Sequence, residues 1–290
     1  MRLGIIYNTN AGNSRNNISQ IIKLAEVVET SKPSEIYHAL AKLNLCQRDI
    51  LGVYGGDGTL HHTLTKCFEL YGKKMPAILL LKGGTINATT DNFAVHYNTE
   101  TAVKAVKEGK FSIHLKPILK IDNGSVEYAF IYGSGLAYKF VKEYHSGNHK
   151  GPLKVIKLIA KCLLDKKYLN SLLESTAAEV YTLGGLAFDS HNILLISTVK
   201  NIGLGFGAMA KAGEEGKAQL RGGMIKPEEL INNLLKSYSG KISGIYDEVT
   251  DFVIIKPKGN LKYILDGEPK SSKNELKIST EKLKFVLPTN

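Results

Sequence analysis

The chain has 290 residues, 43% of them hydrophobic and 22% charged, and its 38 lysines and arginines against 27 acidic residues leave a net charge of +11. That composition is globular, which sets aside disordered and fibrous classes, and the length favours two domains over one core. No run approaches the roughly 18 apolar residues of a membrane-spanning helix.

Met1-Arg2-Leu3 leads straight into a strand-like Gly4-Ile5-Ile6-Tyr7 with no cleavable apolar segment, so a cytoplasmic location is expected. In chain order, the pattern predicts a strand over 2–8, a helix over 17–26, a strand over 50–54, a helix over 58–70, a strand over 77–81 and a helix over 99–109. Apolar strands alternating with helices imply a doubly wound parallel sheet covered on both faces, with ligands at the carboxyl ends of the strands. From about residue 112 the pattern changes. Strands are predicted over 113–121, 126–133, 177–183, 192–199, 251–256, 261–265 and 275–286, with helical stretches over 136–168 and 227–237. This reads as a mostly antiparallel β-sandwich with a helical insertion. The expected division is therefore 1–112, an α/β nucleotide-binding domain, and 113–281, the sandwich.

Three polar loops fall at the carboxyl ends of the first strands: Asn8-Thr9-Asn10-Ala11-Gly12-Asn13, Gly55-Gly56-Asp57-Gly58-Thr59, and Gly83-Gly84-Thr85-Ile86-Asn87-Ala88. The second is the most informative. Gly55, Gly56 and Gly58 are expected to turn through φ > 0 and form an anion nest, with the following helix adding its positive N-terminal end. Asp57 would repel phosphates unless a cation such as Mg²⁺ bridges them or the carboxylate handles a proton or a donor N–H. The plainer alternative is a strand-to-helix turn with a capping Asp.

The positive charge suits nucleic acid, an anionic membrane surface or an anionic substrate such as ATP. No zinc-finger, aromatic RNA-binding or helix-turn-helix signature is found, which argues against nucleic acid. Over Pro152 to Lys166, apolar Val155, Ile156, Leu158, Ile159 and Leu163 alternate with Lys154, Lys157 and Lys161, a basic stripe suited to transient contact with an anionic membrane. An ordinary packed helix with a solvated lysine face has the same pattern. Cys46, Cys67 and Cys162 have neither zinc nor redox spacing and read as reduced core residues. His61 and His62 lie one turn into the helix after Gly58, where packing is the simpler role, and no serine or cysteine sits in a nucleophile elbow.

In these motifs and their order the chain resembles the diacylglycerol kinase catalytic-domain superfamily, which includes bacterial lipid kinases, sphingosine kinases and ceramide kinases. Asn8 through Gly12 is similar to the family's NPxSG, Gly55 to Thr59 to its GGDGT, Gly84-Thr85-Ile86-Asn87 to its GTxN, and Asp266-Gly267-Glu268 to its C-terminal DGE. The resemblance implies a catalytic cleft between the domains, a last strand over 282–290 returning to the first domain, and transfer of the γ-phosphoryl group of ATP to a lipid hydroxyl. By position, Asn8, Gly12, Gly55, Gly56, Gly58, Thr59, Gly84, Thr85 and Asn87 would bind nucleotide. Asp57 would act beside the phosphates and Mg²⁺, Asp266 would be the general base, and Glu268 would help to hold Mg²⁺. Read without the resemblance, Asp266-Gly267 is a tight hairpin turn.

Thr9, Lys82 and Ala88 depart from the family pattern, Ala88 toward acceptors other than diacylglycerol and Lys139 away from a substrate amine. Glu214-Glu215-Gly216 is a poor match to a second metal site. Two alternatives stand beside a lipid kinase: a NAD kinase relative, which shares GGDGT, and a silent lipid- or nucleotide-binding regulator. For the lipid pocket the candidates are Leu136, Phe140, Val141, Leu158, Met209 and Met224, and no motif specifies the acceptor or the oligomeric state.

Overall fold

The computed structural model describes residues 1–11, 18–83, 92–93, 97–146, 151–203, 207–237 and 244–289, with backbone only at 18, 20, 152, 233–235 and 237. Gly12, Gly84, Thr85, Asn87 and Ala88 lie outside the described residues. The chain divides into two compact units, residues 1–116 with 282–290 and residues 117–281. Both boundaries fall inside strands, β5 (Phe111–Asp122) and β16 (Leu276–Pro288).

In the first unit, β1 (Leu3–Asn8), β2 (Glu26–Thr30), β3 (Ile50–Gly55) and β4 (Ala77–Lys82) form a parallel sheet in the order β2-β1-β3-β4. Phe285 and Val286 of β16 extend it, parallel to Ile78 and Leu79. Burial on both faces accounts for the near-continuous apolar runs. On one face Leu3, Ile5, Tyr7, Leu79 and Leu81 pack with Ile21 of the short helix α1 (Ile18–Ile21) and with Ala102, Val103 and Val106 of α4 (Thr99–Lys107). The other face is covered by α2 (Ile36–Leu43), which buries Ile36, Ala39, Leu40 and Leu43, and by α3 (Asp57–Tyr71), which buries Leu60, Leu64 and Cys67. A Cβ on Gly4 would meet Leu43 and Leu45 at 3.0 and 3.1 Å, so α2 lies close on β1.

The predicted helix over 17–26 shrinks to the single turn of α1, because the chain extends again at Glu26-Val27-Val28-Glu29-Thr30. This β2 is a half-exposed edge strand, and its β-branched pair between charges gives a weak signal. Helix α2, unpredicted, places its buried residues at i, i+3, i+4 and i+7, an amphipathic stripe. Cys46 is exposed rather than core, whereas Cys67 is fully buried.

The second unit is a sandwich. One sheet is antiparallel throughout, in the order β12 (Tyr246–Thr250), β11 (Ala218–Gly223), β10 (Ile193–Ser197), β7 (Ile131–Gly135), β14 (Leu261–Leu265) and β15 (Glu268–Ser272). In the other, residues 276–279 of β16 pair with β13 (Phe252–Pro257), which pairs with β8 (Ala178–Thr182), and β8 with β9 (Gly185–Phe188). The paired β5 and β6 (Val126–Ala129) complete it. Tyr132, Leu194, Ile196, Leu220, Tyr263 and Leu265 of the first sheet meet Leu119, Val180, Val253, Ile255, Leu276 and Ile278 of the second in one core.

Helix α5 (Leu136–His145) packs on the outer face of β7, β10 and β14, where a Cβ on Gly133 would come within 2.8 Å of Ala137. α6 (Pro152–Leu164) and α7 (Lys166–Leu172) stack on α5, and α8 (Pro227–Ser237) lies against α7. The strand predicted over 126–133 is two strands broken at Phe130, and β9, β11, β12 and β15 went unpredicted because their short segments are rich in Gly, Lys or Glu.

Candidate functional site

The strand order β2-β1-β3 sends the chain to opposite sides after β1 and β3, creating a topological switch point at their carboxyl ends. In open parallel sheets this is where ligands bind. Asn8 ends β1, and its side chain spans the gap, Nδ2 donating to Thr59 Oγ1 in the first turn of α3 at 2.7 Å. The same side chain's Oδ1 accepts from the Asn10 N–H at 2.9 Å, which fixes the start of the loop. Thr9 N–H and Asn10 Nδ2 donate to the carbonyls of Thr30 and Ser31, each at 2.9 Å, tying that loop to the end of β2.

Gly56 caps α3 with φ −91° and ψ −176°, and Asp57 is the first helical residue. None of Gly55, Gly56 and Gly58 has a positive φ, which overturns the expected left-handed nest. Glycine is required at 55 for space instead: a Cβ there would lie 2.5 Å from both Cβ and Oγ1 of Thr59. At Gly83 a Cβ would come within 2.8 Å of the Tyr54 ring and 3.0 Å of the Gly55 nitrogen. Thus two glycines let β3, β4 and the first turn of α3 close together, and the N-terminal end of a 15-residue helix lies at the switch point.

Behind the turn, Tyr7 and Tyr54 stack at 4.4 Å, and burial followed by the neighbouring Tyr54 pushes the Tyr7 phenol up to about 12. A cavity of about 10 Å³ lined by Val53, Gly56, Asp57, Leu60 and Leu80 has room for no more than a water. His61 is fully buried in α3 with its ring edge-on to His62 at 5.0 Å, a packing role. Lys82 pairs with Gly55 in the β3–β4 register, which puts a cation at the end of the neighbouring strand.

In the second unit, Asp266 and Gly267 are the central residues of the two-residue β14–β15 hairpin, with Leu265 opposite Glu268 and φ of +48° and +86°. Both positive angles define a type I′ turn, for which Asp-Gly is a favoured pair. The Asp266 carboxylate is buried and accepts from two main-chain groups, Phe130 N–H at 3.0 Å and Ile131 N–H at 2.9 Å, while its own N–H donates to the Ile131 carbonyl at 2.9 Å. These bonds lock the carboxylate over the break between β6 and β7. Glu268, partly exposed, begins β15.

The remaining candidates are dispersed. Lys139 donates to the Ser171 carbonyl and pairs with Glu174 at 3.1 Å, clamping α5 to the end of α7. Glu215 pairs with Lys217 at 3.0 Å, and no cluster of three or more His, Cys, Asp or Glu suited to a metal occurs among the described residues. Met209 lies in a core with Leu195, Ala208 and Ala212, Leu136 belongs to a separate cluster, and Met224 is exposed.

Two buried polar groups escaped sequence reasoning. Arg221 and Asp247 are cross-strand partners on β11 and β12, joined at 2.8 Å, with Gln219 donating to the same carboxylate at 2.7 Å. Burial alone would raise the Asp247 pKa, but the hydrogen bonds from Arg221 and Gln219 hold it below the usual range. Ser134 Oγ and His191 Nε2 lie 2.7 Å apart inside the sandwich, and desolvation lowers the His191 pKa to about 4. Only the i, i+2 relation of Tyr132 and Ser134 on β7 hinted that Ser134 faces inward.

Residues 2–114 match the family model described as the diacylglycerol kinase catalytic domain. No curated protein matches the chain. Among solved structures, a provisionally named diacylglycerol kinase from Bacillus anthracis strain Sterne is similar with a TM-score of 0.72 at 15% identity, covering 100% of this chain and 97% of that one. A structure of a diacylglycerol kinase from the same strain has a TM-score of 0.66 at 14% identity over the same shares. At such identity the likeness is one of fold. Among the described residues no helix is long and apolar enough to cross a membrane.

Proposed function

We propose, from the premise that residues 2–114 belong to the diacylglycerol kinase catalytic-domain superfamily, that this protein transfers the γ-phosphoryl group of ATP to a hydroxyl of a diacylglycerol-like or long-chain-base-like lipid. The observation that carries the reading is the switch point itself. The Asn8–Thr59 bridge at 2.7 Å holds the β1 loop against the N-terminus of α3, which begins where the strand ends diverge. Such donors suit phosphate oxygens. Phosphoryl transfer depends on positioning and charge neutralisation more than on a strong base, so one turn, one cation and one placed carboxylate suffice.

In this reading Asn8, Gly55, Gly56, Gly58 and Thr59 shape the phosphate site, with Gly12, Gly84, Thr85 and Asn87 as further nucleotide contacts. Asp57, at the first position of α3, fits a divalent cation shared with the nucleotide, since Mg²⁺ takes one or two carboxylates plus phosphates and waters rather than an all-protein cage. When bound, Mg²⁺ would neutralise charge on the transferring phosphoryl group, with Glu268 as a second carboxylate. Asp266 takes the proton of the acceptor hydroxyl. Its hydrogen bonds from the Phe130 and Ile131 N–H groups, both accepted by Oδ1, fix its position. A cytoplasmic protein acting on lipid would meet its acceptor at the membrane surface.

The test is transfer of labelled γ-phosphate from ATP to a total lipid extract, with NAD as a parallel acceptor and with Asp57→Ala and Asp266→Asn variants alongside. A labelled lipid lost in both variants is expected. Label in NAD alone would make the protein a NAD kinase relative, and ATP binding without transfer would make it a silent regulator.

A further inference from the structure

Helix α6 has a face that no other described residue covers. Val155 and Leu158 are buried, and Cys162 joins the cluster of Leu169, Leu173 and Ile225, so residues 155, 158 and 162 attach the helix to its neighbours. On the opposite side Leu153, Ile156, Leu163 and Leu164 are 75, 59, 43 and 86% exposed, and Ala160 between them is also exposed. The spacing 153, 156, 160, 164 draws these side chains into one ridge along the helix. A helix apolar on nearly all sides is ordinarily enclosed, and an outward ridge of three large aliphatic side chains, with Leu163 beside it, marks a binding surface.

The charges beside the ridge identify the partner. Lys157 and Lys161 run along one flank with Lys154 behind them, exposed Lys166 and Lys167 follow the helix end, and α6 itself contains no acidic residue. Lys161 lies over the Tyr168 ring at 3.7 Å, and Lys154 reaches the Ser146 carbonyl, so both are held on this side of the helix. Pairing with a second copy would set one lysine row against another. A layer of anionic headgroups over an acyl interior satisfies both halves at once, the lysines at headgroup depth and the leucine ridge just below.

We infer that α6 is an interfacial anchor that docks the protein on an anionic lipid bilayer, with Leu153, Ile156 and Leu164 entering the acyl boundary and Lys157 and Lys161 at headgroup level. It gives the lipid-acceptor reading a place of contact and rests on that reading only for its purpose. α5, which carries α6, packs on β14 and β15, the strands whose hairpin holds Asp266, so anchor and proposed base belong to one packed unit.

The experiment is flotation of the full chain, without ATP, on vesicles of phosphatidylcholine alone and of phosphatidylcholine mixed with phosphatidylglycerol. The wild type should float with the mixed vesicles and lose binding at high salt. A Leu153→Asn/Ile156→Asn/Leu164→Asn variant should bind at least about tenfold more weakly with its thermal midpoint unchanged, because the side chains it alters are exposed. Lys157→Gln and Lys161→Gln should each cost about fivefold. Equal flotation of the triple variant, indifference of the wild type to mixed vesicles, or a wild-type dimer that the triple variant turns into a monomer would each overturn the inference. Transfer to a water-dispersed short-chain acceptor should survive in the triple variant. Vesicle binding with no transfer to any acceptor would instead defeat the kinase reading and leave the anchor standing.

Discussion

His191 offers a quantitative test of the sandwich core. Its imidazole is fully buried, bonded to Ser134 at 2.7 Å through Nε2, with Nδ1 unpartnered and the Phe188 ring edge-on at 5.9 Å. Desolvation lowers its pKa from 6.5 to about 4. A histidine whose folded-state pKa lies below its unfolded value stabilises the fold in its neutral form. That contribution is complete above the unfolded pKa and is lost as pH falls through 6.5 toward 4. A gap of about 2.5 units at about 1.4 kcal/mol each corresponds to about 3 kcal/mol in full, of which about 2 kcal/mol is lost between pH of about 7.5 and 5. Urea unfolding followed by circular dichroism at those two pH values, on wild type and His191→Gln, isolates this group from the carboxylates, which titrate in both proteins. The wild type should lose about 2 kcal/mol more than the variant. Parallel losses, or an imidazole carbon resonance that titrates near 6.5 in the folded protein, would refute the argument.

Asp266→Ala should destabilise the second unit by several kcal/mol, since it strands two buried N–H groups at about 1–3 kcal/mol each and places alanine at φ +48°. Asp266→Asn, which tolerates that backbone and keeps an acceptor, should melt close to wild type yet lose phosphoryl transfer; wild-type turnover in the Asn variant would remove Asp266 from the chemistry. Gly55→Ala should weaken ATP binding at least tenfold and cost about 1–3 kcal/mol, as its Cβ would overlap Thr59 and displace the Asn8 bridge. Adding Thr59→Gly should restore the melting temperature but not ATP affinity, and recovery of both would show that the bridge has no part in binding.

The sequence alone determined the features that depend on local chemistry. The strands predicted over 2–8, 50–54 and 77–81, each followed by a small polar loop, sufficed for a parallel sheet with its loops at one edge, because a strand buried on both faces cannot alternate. Asp266-Gly267 read as a tight turn for the same reason, since few other pairs accept two positive φ angles in succession. What depended on distant partners was decided only in three dimensions. Gly55 read as a residue turning through φ > 0, yet its constraint is the Thr59 side chain packed against it. Asp266 read as either turn or base, and only the fold brought the Phe130 and Ile131 N–H groups, more than 130 residues away, onto its carboxylate. Helix α6 showed the sharpest division. Its 13 residues announced an apolar helix with a lysine stripe, but which apolar side chains are enclosed and which face outward depends on where α5 and α7 lie, and a one-dimensional pattern does not carry that information.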